Sequence, residues 1–158
     1  LDAATSEVSL AYMTGDFEMA IQKAKEILNP DGLQPQYRNF LQSYLIRSVV
    51  LNQPELSREE LDTMIGELTI IDPTLAEKTQ KMSVALYDLT VAHESNDYFE
   101  TLTNEYKYPQ LEIIYYKALN AAIKGDTNRA KELLSQLDGE DERLYVVRMG
   151  KALLERTV

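Results

Sequence analysis

Gly15-Asp16-Phe17-Glu18-Met19-Ala20-Ile21 and Gly125-Asp126-Thr127-Asn128-Arg129-Ala130 repeat one arrangement near opposite ends of the chain. In each, a Gly-Asp pair interrupts an apolar helical pattern, and an alanine follows five residues after the glycine. Glycine tolerates φ > 0 in a tight turn, and a small residue lets two helix axes come close. Both stretches therefore read as the joint of a helical hairpin.

Working outward, further breaks fall at Asn29-Pro30-Asp31-Gly32, Pro35, Asn52-Gln53-Pro54, Asp72-Pro73, Asn96-Asp97, Pro109 and Asp138-Gly139. The segments between them carry apolar residues at helical spacing. They predict nine helices, at 2–14, 16–28, 35–52, 57–71, 74–95, 97–107, 109–124, 126–137 and 140–156. No stretch alternates with period two, so no strand is expected. Ser57-Arg58-Glu59-Glu60 and Thr74-Leu75-Ala76-Glu77 have the capping-box form, and Asp97-Tyr98-Phe99-Glu100 is an acidic variant. Pro35, Pro73 and Pro109 sit where a first helical turn accepts them.

Alternate helices open near residues 2, 35, 74, 109 and 140. A recurrence of about 34 residues, two helices per unit, marks a stacked helical repeat, because one hairpin cannot bury its own apolar face. The pairs fall at 2–28, 35–71, 74–107 and 109–137, with 140–156 left to cover the last one. The chain resembles the tetratricopeptide-repeat superfamily through its two Gly-Asp stretches and through Ile71-Asp72-Pro73, which looks like that family's repeat-ending segment. The resemblance implies an all-α fold: a right-handed α-solenoid of about four antiparallel helix pairs plus a C-terminal capping helix, forming one domain over 1–158. It departs from the family at Leu61 and Thr101 in place of alanine and at Asn96 in place of glycine, and it has no Trp. A non-repeating helical bundle is the alternative.

Composition narrows function mainly by exclusion. The net charge of −10 repels phosphate backbones and anionic lipid surfaces, so a nucleic-acid partner is not expected. With no cysteine, thiolate nucleophiles and cysteine-ligated zinc are excluded. No apolar run approaches the roughly 20 residues of a membrane span, so direct membrane insertion of this segment is not expected. The chain opens at Leu1 without a basic leader region, which reads as a soluble domain cut from a larger or membrane-anchored protein.

The catalytic inventory is thin. His93 is the only histidine and, beside Glu94, reads as a surface or capping residue rather than a catalytic base. Asp138, Glu140, Asp141 and Glu142 lack the alternating register of a calcium loop, and negative charge at the start of the last helix explains them. No nucleotide-binding, nucleophile-elbow or zinc-protease motif is present. The expectation is a non-enzyme without cofactor, metal site or catalytic residues.

Ten tyrosines stand against three phenylalanines, with Tyr106, Tyr108, Tyr115 and Tyr116 close in sequence. Tyr115 and Tyr116 diverge by about 100° on a helix, which puts one in the core and leaves the other as a contact residue. In the family resembled, the first helix of each pair lines a concave groove. That likeness offers Tyr12, Tyr37, Tyr44, Arg47, Tyr87, Tyr115, Tyr116 and Asn120 as lining groups. The family's carboxylate clamp of repeated Lys and Asn is not matched, since only Arg47 and Lys117 stand nearby. The last helix, with Arg143, Arg148, Lys151 and Arg156, reads as an amphipathic cap with a partly basic outer face.

The function these features imply is a scaffold that binds a peptide, helix or protein subunit. A second reading is an assembly domain of a membrane-anchored machine. Asn52–Ser57, Glu60-Leu61, Leu68-Thr69 and Ala130–Leu154 are similar to the helical domain of the pseudokinase-like membrane protein of type VII secretion. A helical regulatory domain of a larger enzyme is the third.

Overall fold

Both Gly-Asp stretches fold into the same turn. In a computed structural model, which describes residues 2–29, 33–102 and 107–157, helix α1 (Asp2–Thr14) meets α2 (Phe17–Leu28) at Gly15, whose φ is 86°. The Gly15 N–H bonds to the Tyr12 carbonyl at 3.1 Å and the Asp16 N–H to the Ala11 carbonyl at 2.8 Å. Gly125, with φ 82°, closes α6 (Lys107–Ile123) identically: its N–H reaches Ala122 O at 3.0 Å, and the Asp126 N–H reaches Ala121 O at 2.9 Å. These are the paired bonds of a Schellman cap, which satisfies orphan carbonyls by means of a left-handed residue. The aspartate that follows caps the next helix, accepting the Met19 N–H at 3.3 Å and the Arg129 N–H at 3.2 Å.

No atom lies within 4 Å of a methyl group placed on Gly125 or Gly66, but only Gly125 has positive φ. Gly125→Ala is therefore expected to lower stability by about 1–2 kcal/mol through backbone strain alone. Gly66→Ala, near the end of a helix, is expected to be neutral or stabilising by up to about 1 kcal/mol. Urea midpoints of the two variants check this, and equal midpoints would remove the left-handed turn from the account.

Among the described residues the chain is all-α, with no strand. It divides into two compact units, 1–91 and 92–158, where the sequence reads as one repeat domain. The first unit adds α3 (Pro35–Asn52), α4 (Arg58–Gly66) and α5 (Pro73–Tyr87) to α1 and α2. Helix α2 packs against both α1 and α3, α1 touches α3, and α3 also packs against α5 and, less extensively, α4. Val8, Ala24 and Leu41 are fully buried at the centre of one core cluster, with Ile27, Leu28, Leu33, Tyr44 and Leu45 against them. Arg38 Nη2 donates to the Leu28 carbonyl at 3.3 Å, closing the C-terminal end of α2.

Local chemistry shifts two helix boundaries here. The Ser57–Glu60 capping box forms in both directions, each bond 3.1 Å long. The box expected at Thr74–Glu77 does not form. Asp72 caps the helix instead, accepting the Thr74 N–H at 2.9 Å, Pro73 takes the first helical position, and Glu77 pairs with Lys81. Helix 57–71 ends at Gly66, because the following segment is tied to α3 by side chains: Gln42 accepts the Thr69 N–H at 2.8 Å and donates to Glu67 O at 3.2 Å, and Asn39 donates to Thr69 O at 2.8 Å. Helix 74–95 ends in a π-helical turn at Asp88–Ala92, followed by His93 at φ 57°.

The second unit holds α6, α7 (Thr127–Ser135) and α8 (Tyr145–Thr157), with α8 packed on both others. Of the helix expected at 97–107, the described part is a 3-10 turn, Tyr98–Thr101, resting on α6. Tertiary bonds take over the groups meant for a capping box. Asp97 pairs with Lys124 at 3.1 Å, Glu100 takes Arg129 through both oxygens at 2.9 Å, and Asn120 Oδ1 accepts the Asn96 N–H at 2.9 Å. The last helix starts at Tyr145 rather than 140, because Asp141 bonds the backbone and guanidinium of Arg143 and so competes with helix formation. Pro30, Asp31, Gly32 and Tyr106, singled out in the sequence, lie outside the described residues.

Candidate functional site

Phe40, Tyr44 and Arg47 recur at i, i+4 and i+7 along α3 and so share one face. Tyr12 from α1 underlies that face. Its ring meets Tyr44 edge-on at 5.3 Å and Phe17 at 5.9 Å, while Phe40 meets Tyr44 at 4.9 Å. The Arg47 guanidinium lies over both tyrosines, 4.4 Å from the Tyr44 centroid and 4.8 Å from that of Tyr12. Each such cation–π contact contributes about 0.5–2 kcal/mol, depending on desolvation. Arg47 Nε also donates to the Ser43 carbonyl at 3.4 Å. Phe40 is 43% exposed, Tyr44 and Arg47 are half-buried, and Tyr12 is buried.

Three of the eight groove residues inferred from sequence, Tyr12, Tyr44 and Arg47, thus come together. Tyr37, in the first turn of α3, and Tyr87, at the end of α5, are half-buried. Tyr115, Tyr116 and Asn120 are internal to the second unit. Leu111 to Tyr116 are all buried, since α6 is packed by α7, α8 and the 3-10 turn, so the 100° divergence of the two tyrosines leaves neither outside. Tyr116 stacks on Phe99 at 5.1 Å and meets Tyr115 edge-on at 4.9 Å. Burial, above all, pushes the Tyr115 hydroxyl well above the ordinary tyrosine range, and it raises Tyr145 as well. Asn120 is the amide that anchors Asn96.

Phe40 and the anchoring pair Asn39 and Gln42 escaped the sequence reading. The spacing of four between Phe40 and Tyr44 was the available signal. The segment held by Asn39 and Gln42 leads into Ile70 and Ile71, which with Leu75 are exposed. The basic face of the last helix is largely engaged: Arg143 pairs with Asp141, Lys151 with Glu142, and Arg148 bonds the carbonyls of Glu142 and Arg143. His93 and Glu94 are exposed. Among the described residues no three acidic or histidine groups converge as a metal site, and no helix is long and apolar enough to cross a membrane.

No family model, curated protein or solved structure matches the chain. The α1–α3 face therefore stands on its own geometry. It presents an exposed phenyl ring packed on Tyr44 and a guanidinium held over the Tyr44 and Tyr12 rings.

Proposed function

We propose that the chain is a protein-binding module without catalytic chemistry, built as a right-handed stack of antiparallel helix pairs closed by α8. The identical Schellman-and-aspartate joints at Gly15 and Gly125 support the repeat, as does the packing of α2 between its sequence neighbours α1 and α3. The observation that carries the function is the ordered aromatic–guanidinium face with Phe40 at its exposed end. Aromatic and Arg side chains are the residues in which interface energy concentrates. The occupant is a peptide, helix or subunit laid across α1 and α3, with Phe40, Tyr44 and Arg47 as contacts and Tyr12 as their support.

Selection of a random peptide library on the immobilised chain tests this. Phe40→Ala and Arg47→Ala are each expected to weaken the selected peptides by about tenfold or more, while Gln80→Ala on α5 leaves them unchanged. Selected peptides that bind all three variants as tightly as the parent would rule out the α1–α3 face.

A further inference from the structure

Leu137, Asp138, Gly139 and Glu140 form a β-turn after α7, closed by the Glu140 N–H on the Leu137 carbonyl at 3.2 Å. Gly139 takes the third position, with φ 77°. Asp138 and Gly139 are both exposed, and no atom lies within 4 Å of a methyl group placed on Gly139. Among the described residues, neither the Gly139 N–H nor the Asp138 carboxyl has a hydrogen-bond or ion-pair partner. We propose that Asp138–Gly139 is a modification site, at which the aspartate isomerises spontaneously to isoaspartate in the folded chain.

The reaction needs an aspartyl carboxyl, the amide nitrogen of the next residue and an unobstructed approach between them. The nitrogen bonds to Asp138 Cγ, and one carboxyl oxygen leaves as water with the amide proton and the carboxylic acid proton. The product is a succinimide ring, which water then opens. Attack at Cγ restores aspartate. Attack at the backbone carbonyl leaves the main chain running through Cγ, with a new α-carboxylate, so mass and charge are unchanged. A side chain on the following residue obstructs the first step, and glycine does not. Other aspartates lack one requirement or more. Asp16 and Asp126 hold the Met19 and Arg129 N–H groups and precede Phe17 and Thr127. Asp72 precedes Pro73, which has no N–H, and Asp141 is paired with Arg143.

Isomerisation inserts a methylene into the main chain within the turn and lengthens the loop that the Glu140–Leu137 bond closes. Leu137 also packs on α8, where its Cδ1 lies 2.7 Å from the position a Cβ on Gly150 would take. Resetting the turn therefore loosens α8, which couples a slow chemical change to the packing of the second unit.

The test is incubation of the whole folded chain in warm neutral buffer for several weeks. Isoaspartate is read by methyl transfer from S-adenosylmethionine, using an isoaspartate-specific carboxyl methyltransferase, and is located by peptide mapping. Label on the peptide that carries Asp138 is expected to grow with time. It is expected to vanish in Asp138→Glu, which keeps the charge but must close a larger ring. No label at Asp138 in the folded chain overturns the proposal, even where the urea-unfolded chain acquires it, because the turn then protects the pair. Label confined to the other Asp-Gly pair, Asp31–Gly32, overturns it as well, as does label that persists at this peptide in Asp138→Glu. In the isomerised fraction, amide exchange along α8 is expected to be faster than in the unmodified chain. Equal exchange overturns the coupling to α8.

Discussion

Deletion of residues 145–158 is expected to dismantle the second unit. Helix α8 contributes Val146, Val147 and Leu153, each at most 4% exposed, and packs on both α6 and α7. Burial of three such side chains stabilises by roughly 5–9 kcal/mol, an upper figure because unfolded chains are partly compact. Whole domains are stable by only about 5–15 kcal/mol, so the loss is of the same size as the total. The deletion also uncovers Leu134 on α7 and Leu137 just beyond it, which lie against Gly150 of α8, and the exposed apolar surface promotes aggregation. Hydrogen exchange is expected to show α6 and α7 losing slow amides. In a stack whose elements touch only their neighbours, α1 and α2 retain theirs. Uniform loss of protection along the whole chain would sink the repeat architecture and favour a single cooperative bundle.

The sequence was most legible where a single residue dictates backbone geometry. Gly15, Gly125, Pro35 and the Ser57–Glu60 box placed helix ends within a residue or two, because each acts through its own φ or its own hydrogen bond. It was least legible where partners distant in sequence intervene. Asp97 and Glu100 carry a helix-start pattern, yet Lys124 and Arg129 claim them, and Phe99 is buried on Tyr116. The acids at 138–142 look like the first turn of a helix, yet Asp141 folds onto Arg143 and delays α8. The proposed contact face was legible in part. Tyr12, Tyr44 and Arg47 sit on helices that the family likeness singled out, and α1 and α3 bring them together. The same likeness offered Tyr115, Tyr116 and Asn120, but α6 is covered on several sides, which periodicity alone does not reveal.

That difference between tyrosines has a large measurable consequence. Tyr116 is fully buried, stacked on Phe99 and edge-on to Tyr115. Tyr116→Ala removes a whole ring from a closed core and is expected to cost about 3–5 kcal/mol, as for other buried aromatic truncations. Tyr44 is half-buried and keeps its ring between Tyr12, Phe40 and Arg47. Tyr44→Ala is expected to cost roughly 1–2 kcal/mol, the sum of lost aromatic and cation–π contacts without a sealed cavity. Urea unfolding followed by far-ultraviolet circular dichroism reads both, and amide exchange shows where each loss falls. Tyr116→Ala is expected to open α6 and the Tyr98–Thr101 turn first, since Phe99 loses its stacking partner there. Tyr44→Ala is expected to act at α1 and α3 and to abolish library-peptide binding that Tyr116→Ala, in whatever fraction stays folded, leaves intact. A Tyr44 loss as large as that of Tyr116 would show that the α1–α3 cluster is core rather than surface, and the proposed contact face would fall with it.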